Sequence, residues 1–150
     1  LGNALHSLIA LAINQKGNLK SEQVLPTLKA YGVDQSIDVK AVITIARRFY
    51  EGMSKQFNAT VFYPEYPIQL VNANNQEATG FIDLLIDTPE GWIIIDHKSS
   101  PAPRTDWEEN ALSYSGQLAC YKTAIEQVSD KPVQSCWIHF AITGGLVEVV

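Results

Sequence analysis

Cysteine is scarce in this chain. There are two, Cys120 and Cys136, and they are not spaced as a metal-binding pair. Two buried free thiols are the expected state, which suits a cytoplasmic protein. No apolar run is long enough to span a bilayer, and nothing reads as a signal peptide. Basic residues are also in short supply. Eleven Lys and Arg stand against sixteen Asp and Glu, a net charge of −5. That balance argues against tight autonomous binding to nucleic acid, although some of the excess acid lies in the candidate site below. Internal repeats, low-complexity tracts and a P-loop are all missing. The 150 residues are enough for one domain with its own core. The chain begins at Leu1 and ends on Leu146-Val147-Glu148-Val149-Val150, so both ends read as cut from a longer polypeptide.

What is present is a pair of aspartates thirteen positions apart, the second opening an Asp-x-Lys triplet. Gly80-Phe81-Ile82-Asp83-Leu84-Leu85-Ile86 is followed by a turn and then by Trp92-Ile93-Ile94-Ile95-Asp96-His97-Lys98. Charges inside apolar strands are costly unless paired or metal-bound. Thr88-Pro89-Glu90-Gly91 is turn chemistry. If it closes a hairpin, Asp87 pairs with Trp92, and counting outward sets Asp83 opposite Asp96. Opposed residues share a face with Cβ atoms roughly 4.5–5.5 Å apart, and alternation puts Lys98 on that face too. Two such carboxylates repel unless a cation lies between them. Oxygen ligands at that spacing suit Mg²⁺ or Mn²⁺. A metal there would activate water and stabilise charge on a phosphoryl oxygen, and a lysine beside it would orient the water. A structural ion-pair cluster is the plainer alternative.

The whole motif set resembles the RecB-type branch of the PD-(D/E)XK nuclease superfamily, nuclease domains fused to or associated with helicases, as in RecB and AddA. Gly2-Asn3-Ala4-Leu5-His6 resembles the N-terminal helix motif, Glu65-Tyr66-Pro67 the acidic motif of the first strand, and Gly80-Phe81-Ile82-Asp83 and Asp96-His97-Lys98 the two core motifs. Gln117-Leu118-Ala119-Cys120-Tyr121 resembles the Gln-x-x-x-Tyr helix of this branch. All five occur in order between residues 2 and 121. The resemblance implies a restriction-endonuclease-like α/β core, a central mixed sheet flanked by helices, in a single domain over residues 1–150. It implies a metal-dependent DNA nuclease, the exonuclease module of a helicase–nuclease in repair and recombination. His6, Asp83, Asp96 and the His97 carbonyl would hold Mg²⁺, with Mn²⁺ as a substitute. Lys98 would position or activate water. Glu65 would support a water, a second metal or Lys98, while Gln117 and Tyr121 would shape the site. Partners would be DNA and the parent helicase domains, with no membrane. Some relatives hold an iron–sulfur cluster on four cysteines; two cannot supply that, so no cluster is expected. His97 replaces an aromatic residue common between Asp and Lys in relatives, and its side chain is expected to point away from the site.

Three rivals remain. A nuclease-like fold that only grips DNA or a partner subunit would not need the intact Asp/Asp/Lys set. A glycosidase using paired carboxylates has no use for His6 and Lys98. A purely structural interface domain predicts no metal binding.

The remaining elements follow from periodicity. A largely buried helix is expected over residues 3–15, broken at Gly17-Asn18. A second, capped by Ser21, carries Val24, Leu28 and Tyr31 and stops at Gly32, with Pro26 kinking it or delaying its start. A third runs over 38–53 with Val42, Ala46, Phe49 and Met53; Arg47 and Arg48 read as a solvated face. Residues 60–71 predict an edge or bent strand because of Pro64 and Pro67, and 72–76 a polar turn. Strands are expected over 78–87 and 92–99. One helix is expected from Asp106, with Glu109 completing a capping box, to about Val128, buried through Tyr114, Leu118, Tyr121, Ile125 and Val128. Strands over 135–143 and 146–150 would form a terminal hairpin about Gly144-Gly145, with His139 structural.

Overall fold

The computed structural model describes residues 1–58, 61–71 and 74–149. Thr60, Asn72, Ala73 and Val150, assigned above to strands and a turn, lie outside the described residues. Three helices come first: α1 (Gly2–Asn14), α2 (Ser21–Ala30) and α3 (Val39–Gln56). Then follow β1 (Val61–Val71), β2 (Glu77–Thr88) and β3 (Gly91–Lys98). A short 3-10 turn, Arg104–Asp106, leads to α4 (Trp107–Leu112) and α5 (Ser115–Val128), and β4 (Val133–Phe140) and β5 (Gly145–Glu148) close the chain.

The strands form one mixed sheet in the order β1-β2-β3-β4-β5. β3 and β4 are parallel, and the other neighbours are antiparallel. The parallel pair requires a crossover, and α4 and α5 supply it. One face of the sheet buries Leu84, Ile86, Ile93 and Ile95 against Leu5, Leu8, Leu28, Val42 and Phe49 of the first three helices. The other buries Ile82, Leu85, Ile94 and Ile138 against Ala111, Leu118, Tyr121 and Ile125 of α4 and α5. Strands buried on both faces read as continuous apolar runs, as Trp92–Ile95 does. This is the restriction-endonuclease-like α/β architecture expected from the motifs. Among the described residues no helix is long and apolar enough to cross a membrane.

Several local expectations are corrected. Ser21 does not cap α2; Lys20 takes that position and its N–H donates to Gln23 Oε1 at 3.1 Å. The helix runs through Pro26. The single helix expected over 106–128 is broken at Ser113-Tyr114. Asn110 donates its side-chain amide to the Asp106 carbonyl, and Ser113 Oγ donates to the Asn110 carbonyl at 2.6 Å, so these side chains compete for backbone groups. Asp106 makes no side-chain cap. Val128 is 78 % exposed rather than buried, and Cys120 is exposed, so only Cys136 is a buried thiol.

The β2–β3 turn sets the register of the site. Asp87 pairs with Trp92 and Leu84 with Ile95, as counted from the sequence. Gly91 has φ +149°, and a Cβ there would stand 2.6 Å from the Pro132 carbonyl oxygen. Gly91→Ala is therefore expected to lower unfolding free energy by about 2–3 kcal/mol, read from urea denaturation midpoints at unchanged m. Lys131 braces the same turn by pairing with Asp87 and lying 4.3 Å from the Trp92 ring centroid.

Candidate active site

The β2–β3 ladder ends one step before the aspartates. Asp83 and Asp96 would be the next opposed pair after Leu84 and Ile95, but they are not joined by ladder bonds. Instead the Asp83 side chain takes over: its Oδ2 accepts the His97 backbone N–H at 2.8 Å. Alternation along β2 also fails here. Leu84 faces the first three helices, whereas Ile82, two residues away, packs with Leu85 on the α5 side. On β1 the facing residue is Glu65, between the pairs Pro64–Leu84 and Tyr66–Ile82. Glu65 has φ +52°, a left-handed conformation that costs a non-glycine residue about 1–2 kcal/mol. Two neighbouring strands are thus irregular at the level where the site is built.

Asp96 and Lys98 alternate with Ile94 on the α5 side, as the strand period requires. Lys98 Nζ lies 2.8 Å from Asp96 Oδ2. It also donates to Gln117 Oε1 at 3.5 Å, and Gln117 Nε2 donates to Tyr121 OH at 2.9 Å. The four-residue spacing of Gln117 and Tyr121 makes that last contact. Tyr114, at the break before α5, completes the seat with its ring centroid 4.2 Å from Nζ. Helical periodicity places Tyr114 in the core stripe and gives no sign of this role. The helix break that swings it over Lys98 has its signal in Asn110, Ser113 and Gly116.

His6 reaches the site from α1. Its Nε2–H donates to the His97 carbonyl at 2.8 Å, and its Nδ1 stands 3.7 Å from Asp83 Oδ1. The close approach of α1 is permitted by Gly2, where a Cβ would come within 3.1 Å of Ser99 Oγ. The His97 side chain points to the opposite face from Asp96 and Lys98, into contact with Phe49 and His139. His6, Asp83 and Glu65 line a surface cleft of about 330 Å³ with Asn3, Ser7, Tyr31 and Phe81. All eight residues singled out from the sequence therefore lie around the end of the β2–β3 ladder. Glu65 enters from the cleft side and Gln117 and Tyr121 from the α5 side.

The electrostatics are those of a site short of positive charge. The Asp83 carboxyl is pushed up to about 7, first by burial and then by the neighbouring Asp96; His6 and the His97 N–H pull the other way. The Tyr121 hydroxyl is raised by burial and by both aspartates. Asp96 Oδ2 is buried and has no hydrogen bond, because its contact with Lys98 has the distance of an ion pair but not the angles of a hydrogen bond. Two neighbouring carboxylates, one of which resists ionisation, are what a hard divalent cation would relieve. Imidazole, two carboxylates and a carbonyl form a donor set that fits one. Among the described residues no three His, Cys, Asp or Glu side chains are gathered in metal-ligating geometry. His6 Nε2 and the His97 carbonyl are bonded to one another.

The chain is similar to three bacterial ATP-dependent helicase/nuclease subunits. That of Carboxydothermus hydrogenoformans is 33% identical over 129 residues, covering 76% of this chain and 11% of the relative. That of Oceanobacillus iheyensis is 29% identical over 133 residues, covering 76% and 10%. That of Pelotomaculum thermopropionicum is 32% identical over 84 residues, covering 54% and 6%. The chain thus spans about a tenth of the length of the first two. A family profile matches residues 1–147, nearly the whole sequence, and by that match the chain belongs to the PD-(D/E)XK nuclease superfamily.

Proposed function

We propose that this domain is a divalent-metal-dependent deoxyribonuclease, the exonuclease module of an ATP-dependent helicase–nuclease that processes DNA in repair and recombination. The observation that carries the reading is the convergence of the Asp83 and Asp96 carboxylates with Lys98, where burial and Asp96 make Asp83 hard to ionise. The similarity to helicase/nuclease subunits supports the parent context. Residues 1–150 would act as one nuclease unit, in the cytoplasm where its DNA lies.

Asp83, Asp96, His6 and the His97 carbonyl would hold Mg²⁺, or Mn²⁺ in its place, with His6 exchanging its bond to that carbonyl for the ion. The bound ion would lower the pKa of a water and neutralise charge on the phosphoryl oxygens. The protein's own groups do the rest. Lys98 Nζ, fixed by Asp96, Gln117 and Tyr114, presents an ammonium to the attacking water and to the developing charge. Tyr121 keeps the Gln117 amide turned toward Lys98. Glu65 supplies a second carboxylate on the cleft side, where it would orient a water or a second cation. With net charge −5, grip on the DNA backbone would come mainly from the rest of the parent protein.

The test is degradation of end-labelled linear single- and double-stranded DNA with Mg²⁺, with Mn²⁺ and with chelator, beside Asp96→Asn. Cutting that needs the cation and disappears in the variant is expected. Equal cutting by Asp96→Asn, or none by the wild type with either ion, would overturn the reading in favour of a nuclease fold that only binds DNA or a partner subunit.

A further inference from the structure

A second histidine cluster lies behind the site, on the face of the sheet away from Lys98. His97 and His139 are paired residues of the parallel strands β3 and β4. Both side chains are buried, at 2 % and 4 % exposure. Their Nδ1 atoms are 2.9 Å apart. A contact of that length between two ring nitrogens requires one to carry hydrogen and the other to offer its lone pair. Phe49 of α3 closes the pocket, stacked on His139 at 4.2 Å between centroids and edge-on to His97 at 4.9 Å. A buried polar pair of this kind is costly unless mutually satisfied, and it then fixes both side chains.

The position of His97 gives that fixation a consequence. Its N–H holds Asp83 and its carbonyl holds His6. The β2–β3 ladder has already ended, so on the β2 side only the Asp83 side chain is seen to tie this peptide. The restraint that remains comes from β4, through the parallel ladder that runs on to Lys98 and Phe140 and through the His139 side chain. We propose that His139 is a positioning residue: by pinning the His97 side chain through the Nδ1–Nδ1 hydrogen bond, it sets the two peptide planes that orient Asp83 and His6. The inference rests on the function proposed above for its chemical consequence, but not for its geometry. His139 touches neither substrate nor cation.

Two substitutions test it on the metal-free protein. His139→Leu removes the hydrogen bond; His139→Asn keeps a polar atom where Nδ1 stood. Amide hydrogen exchange read by NMR is expected to show the His97 N–H exchanging about tenfold faster in His139→Leu, measured against Ile95 of the same strand. His139→Asn should stay within about twofold of wild type. Mn²⁺ affinity, followed by the electron paramagnetic resonance of the free ion, should weaken about tenfold in His139→Leu and recover in His139→Asn. Unchanged exchange at His97 in His139→Leu, or equal loss in the two variants, would overturn the proposal. If His139→Leu does not fold, ¹⁵N spectra of the wild-type imidazoles decide. One Nδ1 bearing hydrogen and one bare supports the latch, and two bare Nδ1 atoms overturn it. Wild-type protein that binds no Mn²⁺ sinks the function proposed above, while the exchange result still judges the latch.

Discussion

Lys98→Ala is expected to lower DNA cleavage by about 10³-fold and to destabilise the metal-free protein at the same time. The two losses have different causes and can be separated. Activity would fall because the ammonium proposed to stand beside the attacking water is gone. Stability falls because the buried Asp96 loses its ion-pair partner. Breaking a fully buried pair costs about 3–5 kcal/mol. Lys98 is partly exposed, with 23% of its side chain accessible, so about 1–2 kcal/mol is the expected loss. Saturating Mg²⁺ should return most of that stability, since a cation supplies the missing charge, while leaving activity down. Lys98→Arg separates them from the other side. Arginine keeps the charge, but its planar fork does not fit a seat shaped for a point charge between a carboxylate, an amide and a ring. Its stability should approach wild type while its cleavage rate stays low. Thermal unfolding with and without the cation, alongside single-turnover cleavage, reads both quantities. Lys98→Ala that cuts at the wild-type rate would remove Lys98 from the chemistry.

The second large effect is on pH. Asp83 holds its proton up to about 7 in the folded protein, against 3.8 for the ordinary carboxyl. Below pH 3.8 both states are protonated and this group contributes no slope. Between 3.8 and 7 the unfolded chain releases the proton and the native protein keeps it. The native state then binds more protons, so stability declines as pH rises through this window. The accumulated loss by pH 7 is on the order of 2–4 kcal/mol, and above 7 the slope vanishes. Asp83→Asn should flatten the decline. A divalent cation should oppose it, because it binds the ionised carboxylate. The rise in Tm on adding Mg²⁺ is expected to be larger at pH 8 than at pH 5.5. Urea unfolding at pH 4.5 and 7.5, without metal, checks the first part; a stability that climbs with pH across that window would contradict the assignment.

Much of this site could be read from residue spacing because strands and helices have fixed periods. Thr88-Pro89-Glu90-Gly91 set the register that brings Asp83 to the level of Asp96. The period of two put Lys98 with Asp96, and the period of 3.6 put Gln117 beside Tyr121. What could not be read depends on partners distant in sequence. The end of the ladder at Leu84 and Ile95, and the break in alternation at Asp83, go with the left-handed Glu65 on a different strand. Tyr114 reads as an ordinary apolar position of one long helix until that helix is seen to break beside it. Cys120 sits one residue from the buried Tyr121 but outside the buried stripe of α5, and small thiols carry no sign of which side they take.

The distances along the chain that separate the contacts of this site also order its assembly in time. Asp83 reaches His97 across 14 residues, within a hairpin, whereas His6 reaches it across 91. Closing the longer loop costs about 1.7 kcal/mol more chain entropy, and contacts of large sequence separation slow folding. The carboxylates and Lys98 are therefore expected to come together before the amino-terminal helix attaches, with the imidazole arriving late. A chain that has completed its β-hairpin alone holds the carboxylates and the lysine but lacks one of the donors assigned to the cation. In these kinetic terms the proposed cation site would be completed only when the amino-terminal helix docks on the hairpin.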